Sequence, residues 1–401
     1  MPSSKKKLDV CSIMQFNLPL YNLKHFIMSH YFTNFSKFLV ICLICSSNFV
    51  FGQGLRIPGA TNFPCKTGRT IGVTEINITW NAPGVKGREG KIWGTDIAYF
   101  GTSVLGFGSN VQSPWRAGAD ESTTISFSTD VLINGNKLTA GNYGFFVELY
   151  PDSSILIFNK NTHGWGSYFY DKSMDVLRVV TKQQKDQKSI KERLEYTFEN
   201  QTDKGVSIAL EWEYWKIPFT VEADVIKTTL ENIKAQMSGS LGFDPPSLQA
   251  AANWCLQNNL NYEQALNWII SATDPNLGGI TNFTALSIRS GLLTKIGRNA
   301  EADKAMSQAV DNATPVELHQ YGRQLLNQKK TNEAFAIFEK NFIKNKGAWP
   351  TQVGMMRAYS AQGNIKNALE HAKAALLQAP DETNKRSLES AIKTLESGKA
   401  L

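Results

Sequence analysis

The chain has 401 residues, of which 42% are hydrophobic and 19% are charged. This composition is that of a globular protein rather than a disordered one, and the length predicts two or three domains. The formal net charge is +7, but +4 of it lies within the first 52 residues. The remainder is close to neutral and gives no electrostatic reason to expect a nucleic-acid partner.

Residues 1–52 have the layout of a secretory signal peptide. Lys37 precedes the apolar run Phe38–Cys45, and the segment that follows has Val50 and Gly52 as the residues before a cut ahead of Gln53. A membrane anchor is the alternative, although the run is shorter than the roughly 20 residues that a span needs. As the first residue of a signal peptide, Met28 lies at a more usual distance from the apolar run than Met1 does. We expect an exported protein, periplasmic or secreted, with no transmembrane span after cleavage.

The cysteines give no disulfide framework. Cys11, Cys42 and Cys45 would leave with the signal peptide, although a lipid anchor through Cys42 or Cys45 stays open. Cys65 and Cys255 fall in different predicted domains, so we expect two unpaired thiols.

Residues 53–225 have the period-two alternation of β-strands. Ile76 and Trp80 alternate with polar neighbours, and Asn134-Gly135 is a strong signal for a type I′ hairpin turn. The last strand runs through Trp212, and Pro218 is expected to end it. Eight or nine such strands predict an antiparallel β-sandwich, jelly-roll or immunoglobulin-like.

Three segments of this region carry a family resemblance: Arg69–Ile76, Pro83–Arg88 with Lys91–Gly94, and Trp115–Ile125. They resemble domain-of-unknown-function family 2911, which occurs in secreted bacterial proteins. The resemblance spans about residues 58–225 and implies a small all-β extracytoplasmic domain without an assigned activity. At Phe63-Pro64-Cys65 the family usually has Ser-Pro-His, so a histidine role there does not carry over, and the link from Gly94 to Trp115 is longer than usual.

After residue 225 the period becomes helical. Residues 226–246 read as a linker helix followed by a glycine- and proline-containing loop, and residues 247–401 as helical repeats closed by a capping helix from Asp381. Self-comparison aligns four alanines that are 37, 32 and 34 residues apart. This spacing resembles the tetratricopeptide repeat and predicts an α-helical solenoid, with an irregular helical bundle as the alternative. The aligned alanines are Ala265, Ala302, Ala334 and Ala368.

The best site candidate in the β-region is the stretch from Trp115 to Glu121. A ligand could stack on Trp115 and Arg116, together with Trp93 or Trp165. The more economical interpretation is an internal ion pair from a buried Arg116 to Asp120 or Glu121 that fixes the loop.

Catalytic motifs are scarce. Residues 53–401 contain three histidines, no metal-binding histidine pair and no nucleophile elbow. We expect no metal, no cofactor and no catalytic residue. The alternative is an extracytoplasmic hydrolase that acts on saccharide through the carboxylates near Asp120 and Glu121.

The function that we expect is therefore binding or scaffolding. Stacked repeats leave a groove lined by the first helix of each unit, and such grooves bind peptides or partner helices. Six polar residues on these first helices are candidates for the groove: Asn282, Arg289, Gln320, Arg323, Gln352 and Arg357.

Overall fold

A computed structural model describes residues 62–185 and 189–401, which belong to one compact unit. An antiparallel β-region comes first and ten α-helices follow it. The predicted signal peptide lies outside the described residues. Within them, no helix combines the length and the apolar character that crossing a membrane requires.

The β-region consists of two large antiparallel sheets and one small one. The strand orders are β1-β2-β5-β8-β9-β10, β11-β12-β13-β6-β7 and β3-β4. The strands are β1 (Phe63–Ile71), β2 (Thr74–Ala82), β3 (Ser103–Val104), β4 (Gln112–Ser113), β5 (Ala119–Phe127), β6 (Val131–Ile133), β7 (Asn136–Leu138), β8 (Gly141–Leu149), β9 (Ser154–Asn159), β10 (Asp175–Thr181), β11 (Lys191–Glu199), β12 (Gly205–Glu213) and β13 (Trp215–Glu222).

The two large sheets share one hydrophobic core. Trp80 on β2 lies 5.0 Å from Tyr196 on β11, measured between ring centroids, and Phe145 on β8 lies 5.7 Å from Phe219 on β13. Alternate residues of each strand supply this core, since side chains of a strand point in turn to opposite faces. On β2 the burial alternates from Thr74 to Ala82, as the sequence pattern predicts.

The β6–β7 hairpin confirms the turn prediction. Asn134 and Gly135 have φ values of 45° and 78°, the left-handed conformation that a type I′ turn requires at both central positions. The prediction for the last strand is wrong. Pro218 lies inside β13, and the chain reverses between β12 and β13 at Glu213 and Tyr214. Proline is tolerated there because β6 pairs with β13 only at Val221 and Glu222, so the β6–β13 ladder needs no backbone N–H from Pro218.

The helical half begins immediately after β13. Asp224 caps helix α1 (Val225–Met237) by accepting a hydrogen bond from the Lys227 amide. A Cβ on Gly72 would lie 2.6 Å from Val225, so the β1–β2 turn packs directly on this helix. The predicted loop after α1 contains a 3₁₀ turn at Ser240–Phe243.

The other nine helices follow one another through short connections, and most of them pack on their chain neighbours. They are α2 (Pro245–Gln257), α3 (Tyr262–Ala272), α4 (Phe283–Lys295), α5 (Asn299–Asn312), α6 (Pro315–Asn327), α7 (Thr331–Lys344), α8 (Trp349–Ala361), α9 (Ile365–Leu377) and α10 (Glu382–Glu396).

The four alanines aligned by sequence occupy the same place in four helices. Each is the fourth residue of α3, α5, α7 or α9, and each is at most 2% exposed. A residue without a long side chain lets the two helices of a pair approach closely at this level. The alanines are Ala265, Ala302, Ala334 and Ala368.

Phe338 joins α7 to the two helices on either side of it. A Cβ on Gly322 of α6 or on Gly354 of α8 would lie 2.6 Å from the Phe338 ring. Glycine is therefore required at both positions, because any larger residue would collide with the ring. This packing fixes α6 and α8 next to each other.

Candidate functional site

The stretch from Trp115 to Glu121 forms an irregular entrance to β5. Ala119 pairs with Asn81, but the next pair is Thr124 with Thr79, so residues 120–123 bulge out of the ladder. Ala117 and Asp120 have φ values of 51° and 56°, in the left-handed region of backbone conformation that residues other than glycine seldom adopt. Such local strain persists only where surrounding contacts hold it.

Hydrogen bonds from other loops hold this bulge. The hydroxyl of Tyr196 and that of Thr123 both donate to the Ala117 carbonyl, at 2.8 and 3.1 Å. Ser122 donates to the carbonyls of Gly164 and Gly166, each at 3.0 Å. The bulge and the 164–166 loop are therefore one connected structure.

The predicted ion pair of Arg116 does not form, and Arg116 is half-buried rather than buried. Its Nη1 donates to the backbone carbonyl of Asp120 at 3.3 Å, and its guanidinium lies 5.3 Å from the centre of the Tyr168 ring. The adjacent loop leaves little room, since a Cβ on Gly166 would come within 2.7 Å of Nη1. A carbonyl and an aromatic face replace the carboxylate partner that the sequence suggested.

The two carboxylates of this stretch bind different asparagines. Asp120 accepts from the Asn62 amide at 3.0 and 3.2 Å, and Glu121 accepts from the Asn81 amide at 2.6 Å. Neither contact links them to each other or to Arg116. The structure therefore does not bring Asp120 and Glu121 together as a pair.

The predicted stacking surface is also absent from this stretch. Trp115 is 2% exposed and stacks on Trp212 inside the core, with Trp93 edge-on to both at 5.6 and 5.8 Å. Trp93 in turn stacks on Trp215 at 4.5 Å. Trp165 is 52% exposed and takes no part in this cluster. Trp93 and Trp115 come together, with Trp115 inside the core and Trp93 partly buried against it.

The six residues predicted to line a helical groove fall into separate groups. Asn282 instead caps α4 by accepting from the Ala285 amide, and Gln352 bonds to His371 on α9 at 2.7 Å. Arg289 lines a small separate cavity with Glu301, and Gln320 is exposed. Only two of the six, Arg323 and Arg357, line one cavity.

This cavity has a volume of about 310 Å³ and lies between α6, α8 and α10. We call it the α6–α8–α10 cavity. Each helix presents residues three or four positions apart, which is the spacing that places side chains on one helix face. The lining residues are Val316, His319 and Arg323 of α6, Trp349, Pro350, Val353, Met356 and Arg357 of α8, Asn384, Ser387, Leu388 and Ala391 of α10, and Leu401.

Helix ends shape the cavity. A capping box starts α6, in which Thr314 accepts from the Glu317 amide at 3.3 Å and the Glu317 carboxylate accepts from the Thr314 amide at 2.8 Å. Helix α8 follows Ala348, which provides no side-chain cap, so Trp349 and Pro350 open the helix at the cavity wall. Leu401 reaches the cavity because its amide donates to Ser360 of α8 at 2.7 Å.

Three polar atoms in the cavity wall are buried and have no hydrogen-bond partner among the described residues. They are Nδ1 of His319, Nε1 of Trp349 and Nε of Arg357. A buried polar group without a partner costs about 1–3 kcal/mol, so most native structures satisfy such groups. Three of them around one cavity leave hydrogen-bonding capacity that a ligand or ordered water could fill.

Positive charge predominates among the side chains that line the cavity. Burial lowers the pKa of Arg357, and the neighbouring Arg323 lowers it further. Burial, followed by the positive charges of Arg357 and Arg323, lowers the pKa of His319 from 6.5 to about 4, against a smaller opposing effect of the Pro350 carbonyl. His319 is therefore uncharged at neutral pH. No aspartate or glutamate side chain is among the lining residues.

Sequence reasoning missed His319 and Trp349. The helical spacing of His319 with Arg323, and of Trp349 with Val353 and Arg357, was visible in the sequence. This spacing places the α6 residues on one face of their helix and the α8 residues on one face of theirs. It does not show that the two faces meet.

Both expected thiols, Cys65 and Cys255, are free, and burial raises the pKa of each. Among residues 62–185 and 189–401, no three His, Cys, Asp or Glu side chains are grouped so that they could hold a metal ion.

Comparison with known families supports the β-region resemblance. Residues 64–221 match the family described as a protein of unknown function (DUF2911). This match spans the strands from β1 to β13 and ends before α1. No curated protein matches the chain.

Proposed function

We propose that this chain is an exported, non-enzymatic binding or scaffolding protein whose helical half is a tetratricopeptide-like solenoid that holds a protein or peptide partner. The observation that carries the proposal is the α6–α8–α10 cavity with its three unpartnered polar atoms. A binding site that performs no chemistry needs only groups complementary to its ligand. The cavity wall offers hydrogen-bond donors and apolar side chains, without a pair of catalytic side chains among the lining residues.

The repeated positions support the solenoid part of the proposal. Equivalent buried alanines recur in α3, α5, α7 and α9, and the cavity is formed by alternate helices. In stacked helical repeats, the first helix of each pair lines the concave surface that binds partners. Helices α6, α8 and α10 occupy that position in this proposal.

Site-specific photo-crosslinking tests whether a partner binds there. A photoreactive amino acid at position Ser387, an exposed cavity residue on α10, should crosslink a discrete partner in intact cells. Lys393 is exposed on the same helix and does not line the cavity, so it is the matched control position. Equal crosslinking at both positions, or none at Ser387, would rule out a partner on this face.

Export is proposed from the N-terminal sequence. Because small residues precede Gln53 after the apolar run, signal cleavage should leave a mature N-terminus at or near Gln53. Mass measurement of the protein from its native cells decides this, and an intact terminus at Met1 or Met28 would exclude it.

The saccharide hydrolase is not favoured by the geometry. A glycosidase needs two carboxylates across one cleft. Here Asp120 and Glu121 are adjacent on a bulged strand and bind separate asparagine amides.

A further inference from the structure

We propose that two uncharged loops of the β-region bind a neutral polysaccharide whose pyranose rings are joined through equatorial bonds. The loops comprise residues 97–115 and 161–170. We call the three exposed aromatic side chains on them, Phe107, Trp165 and Phe169, the aromatic platform. The inference goes beyond the proposed function, which concerns the helical half, and it involves binding without a catalytic step.

Neither loop contains an aspartate, glutamate, lysine or arginine residue, although these types make up 19% of the chain. Loops normally lie at the surface, where charged side chains are common. Contact with a neutral ligand gives a reason for their absence, because a charged group that loses water without gaining a partner is costly. The adjacent Arg116 is half-buried against the Tyr168 ring and donates to the Asp120 carbonyl, so it is already partnered.

The two loops are joined into one rigid surface. The Ser109 amide donates to the Tyr168 carbonyl at 2.8 Å, and the Ser167 hydroxyl donates to the Pro114 carbonyl at 2.6 Å. A Cβ on Gly108 would lie 2.1 Å from the Tyr168 carbonyl oxygen, so this close approach requires glycine. A surface that is already ordered loses little conformational entropy when a ligand binds.

The aromatic platform leaves much apolar surface in contact with water. Phe107, Trp165 and Phe169 are 68%, 52% and 46% exposed. The Phe107 ring lies 6.4 Å from the Phe169 ring and 5.9 Å from the Tyr168 ring, measured between centroids, so these side chains form a continuous patch. Continuous exposed apolar patches usually mark interaction sites.

Neutral polar groups stand beside the aromatic rings. Ser109 and Asn110 follow Phe107 and are exposed, and their side chains make no hydrogen bond within the described part of the chain. Hydroxyl and amide groups offer both donors and acceptors, as the hydroxyl groups of a sugar do. A pyranose ring also has C–H faces that can cover an aromatic ring, while its hydroxyl groups lie at the ring edge. This combination matches the composition of the two loops.

Charge and ring geometry narrow the choice of ligand. Anionic membrane surfaces attract lysine and arginine, which both loops lack. Equatorial linkages leave both faces of each sugar ring open along an extended chain, so successive rings can stack on separate aromatic side chains. Axial linkages coil the chain and turn one ring face inward. A neutral, equatorially linked polysaccharide therefore fits the platform best.

Calorimetric titration of the full chain with cellohexaose tests the inference, with the axially linked maltohexaose as the comparison. Cellohexaose should bind, and maltohexaose should bind at least about tenfold more weakly, a difference well within what a few ring contacts supply. Because no charged side chain takes part, Kd for cellohexaose should be the same at about 50 mM and about 500 mM NaCl.

Variants locate the binding on the platform. Phe107→Ala and Trp165→Ala should each raise Kd by about threefold to tenfold, the effect of losing one aromatic contact. Phe243 is 75% exposed in the 3₁₀ turn after α1, outside both loops, so Phe243→Ala is the matched control and should leave Kd unchanged. All three side chains are exposed, and thermal melts should show that the variants stay folded.

Several results would overturn the inference. They are the absence of binding heat with cellohexaose, equal affinity for maltohexaose, and a Trp165→Ala variant that binds as the natural protein does. Without cellohexaose binding, attachment to phosphatidylcholine vesicles that Phe107→Ala abolishes would assign the platform to a membrane. Dimerisation that Phe107→Ala abolishes would then assign it to a second copy of the chain. None of these results bears on the helical half, which crosslinking at Ser387 tests separately.

Discussion

Arg116 in the β-region and Arg357 in the helical half are both half-buried, but their surroundings differ. Arg116 donates to the Asp120 carbonyl and faces the Tyr168 ring, and the groups around it are bonded to each other. Arg357 keeps an Nε without a partner and lies near a second arginine. The Arg116 guanidinium thus has partners within the chain, whereas Nε of Arg357 has none among the described residues.

This difference is why we place the proposed partner-binding site in the helical half. The stretch around Arg116 has the denser polar sequence, with a tryptophan, an arginine and two carboxylates, yet its polar groups are used internally. The helices that form the cavity have unremarkable sequences, but they leave three buried polar atoms unpaired. Buried polar atoms without a partner also occur at Nε1 of Trp93 and Trp212 beside Trp115, so the proposed partner-binding site depends on the convergence of three such atoms on one cavity rather than on their presence alone.

The largest expected effect concerns the packing that holds the cavity open. Phe338 lies between Gly322 of α6 and Gly354 of α8 and is 1% exposed. Phe338→Ala should lower the free energy of unfolding by about 3–5 kcal/mol, because it removes a buried ring that the rigid helices cannot replace. Urea unfolding followed by circular dichroism measures the change.

Ile343→Ala is the matched control for Phe338→Ala. Ile343 lies on the same helix and is 71% exposed, so its loss should change the free energy of unfolding by no more than about 0.5 kcal/mol. Similar losses for both variants would mean that α6 and α8 are not positioned through Phe338.

The second prediction concerns pH and the charge of the cavity. The pKa of His319 is about 4 in the folded protein and 6.5 when unperturbed. As the pH falls, His319 therefore binds a proton at a higher pH in the unfolded chain than in the folded protein. His319 therefore contributes stability that is complete above about pH 6.5 and is lost as the pH falls toward 4. The loss is at most about 3 kcal/mol, and partial solvent exposure reduces it.

Urea unfolding at pH 7 and pH 4.5 tests this, with His319→Gln as the comparison. The variant should lose less stability than the natural protein between the two pH values. An identical loss would show that His319 is not held neutral by its surroundings.

Much of the fold could be predicted from the sequence, because it depends on local patterns. Alternating residues such as Ile76 and Trp80 indicate strands, and the Asn134-Gly135 turn follows from backbone conformation alone. The alanine spacing marked the four helices that pack through a small residue. Pro218 was misleading because its tolerance depends on how far β6 extends along β13, which is a tertiary feature.

The site could be predicted only in part. Arg323 and Arg357 were selected by their helix faces, which are set by local periodicity. The cavity also needs α10, whose contribution depends on how three non-consecutive helices come together. In the β-region, the partner of Arg116 could not be deduced from sequence distance. The bulge turns the Asp120 carbonyl toward the guanidinium, and a remote asparagine, Asn62, binds the carboxylate.

The smallest expected effect on the free energy of unfolding is that of replacing Arg116 in the β-region. Arg116 lacks an ion-pair partner among the described residues and makes one long hydrogen bond and one contact with an aromatic face. Arg116→Ala should therefore lower the free energy of unfolding by about 1–2 kcal/mol, the sum expected for these two contacts. A buried ion pair would instead give about 3–5 kcal/mol.

A double-mutant cycle separates these two cases. Because the Asp120 carboxylate binds Asn62 and not Arg116, Arg116→Ala and Asp120→Asn should have additive effects within about 0.5 kcal/mol. Glu121 is exposed, and Glu121→Gln should change stability by less than about 0.5 kcal/mol. A coupling of several kcal/mol between Arg116 and Asp120 would show that the two side chains form an ion pair. Arg116 would then depend on a carboxylate that the chain itself supplies, whereas no aspartate or glutamate side chain is among the residues that line the cavity with Arg357.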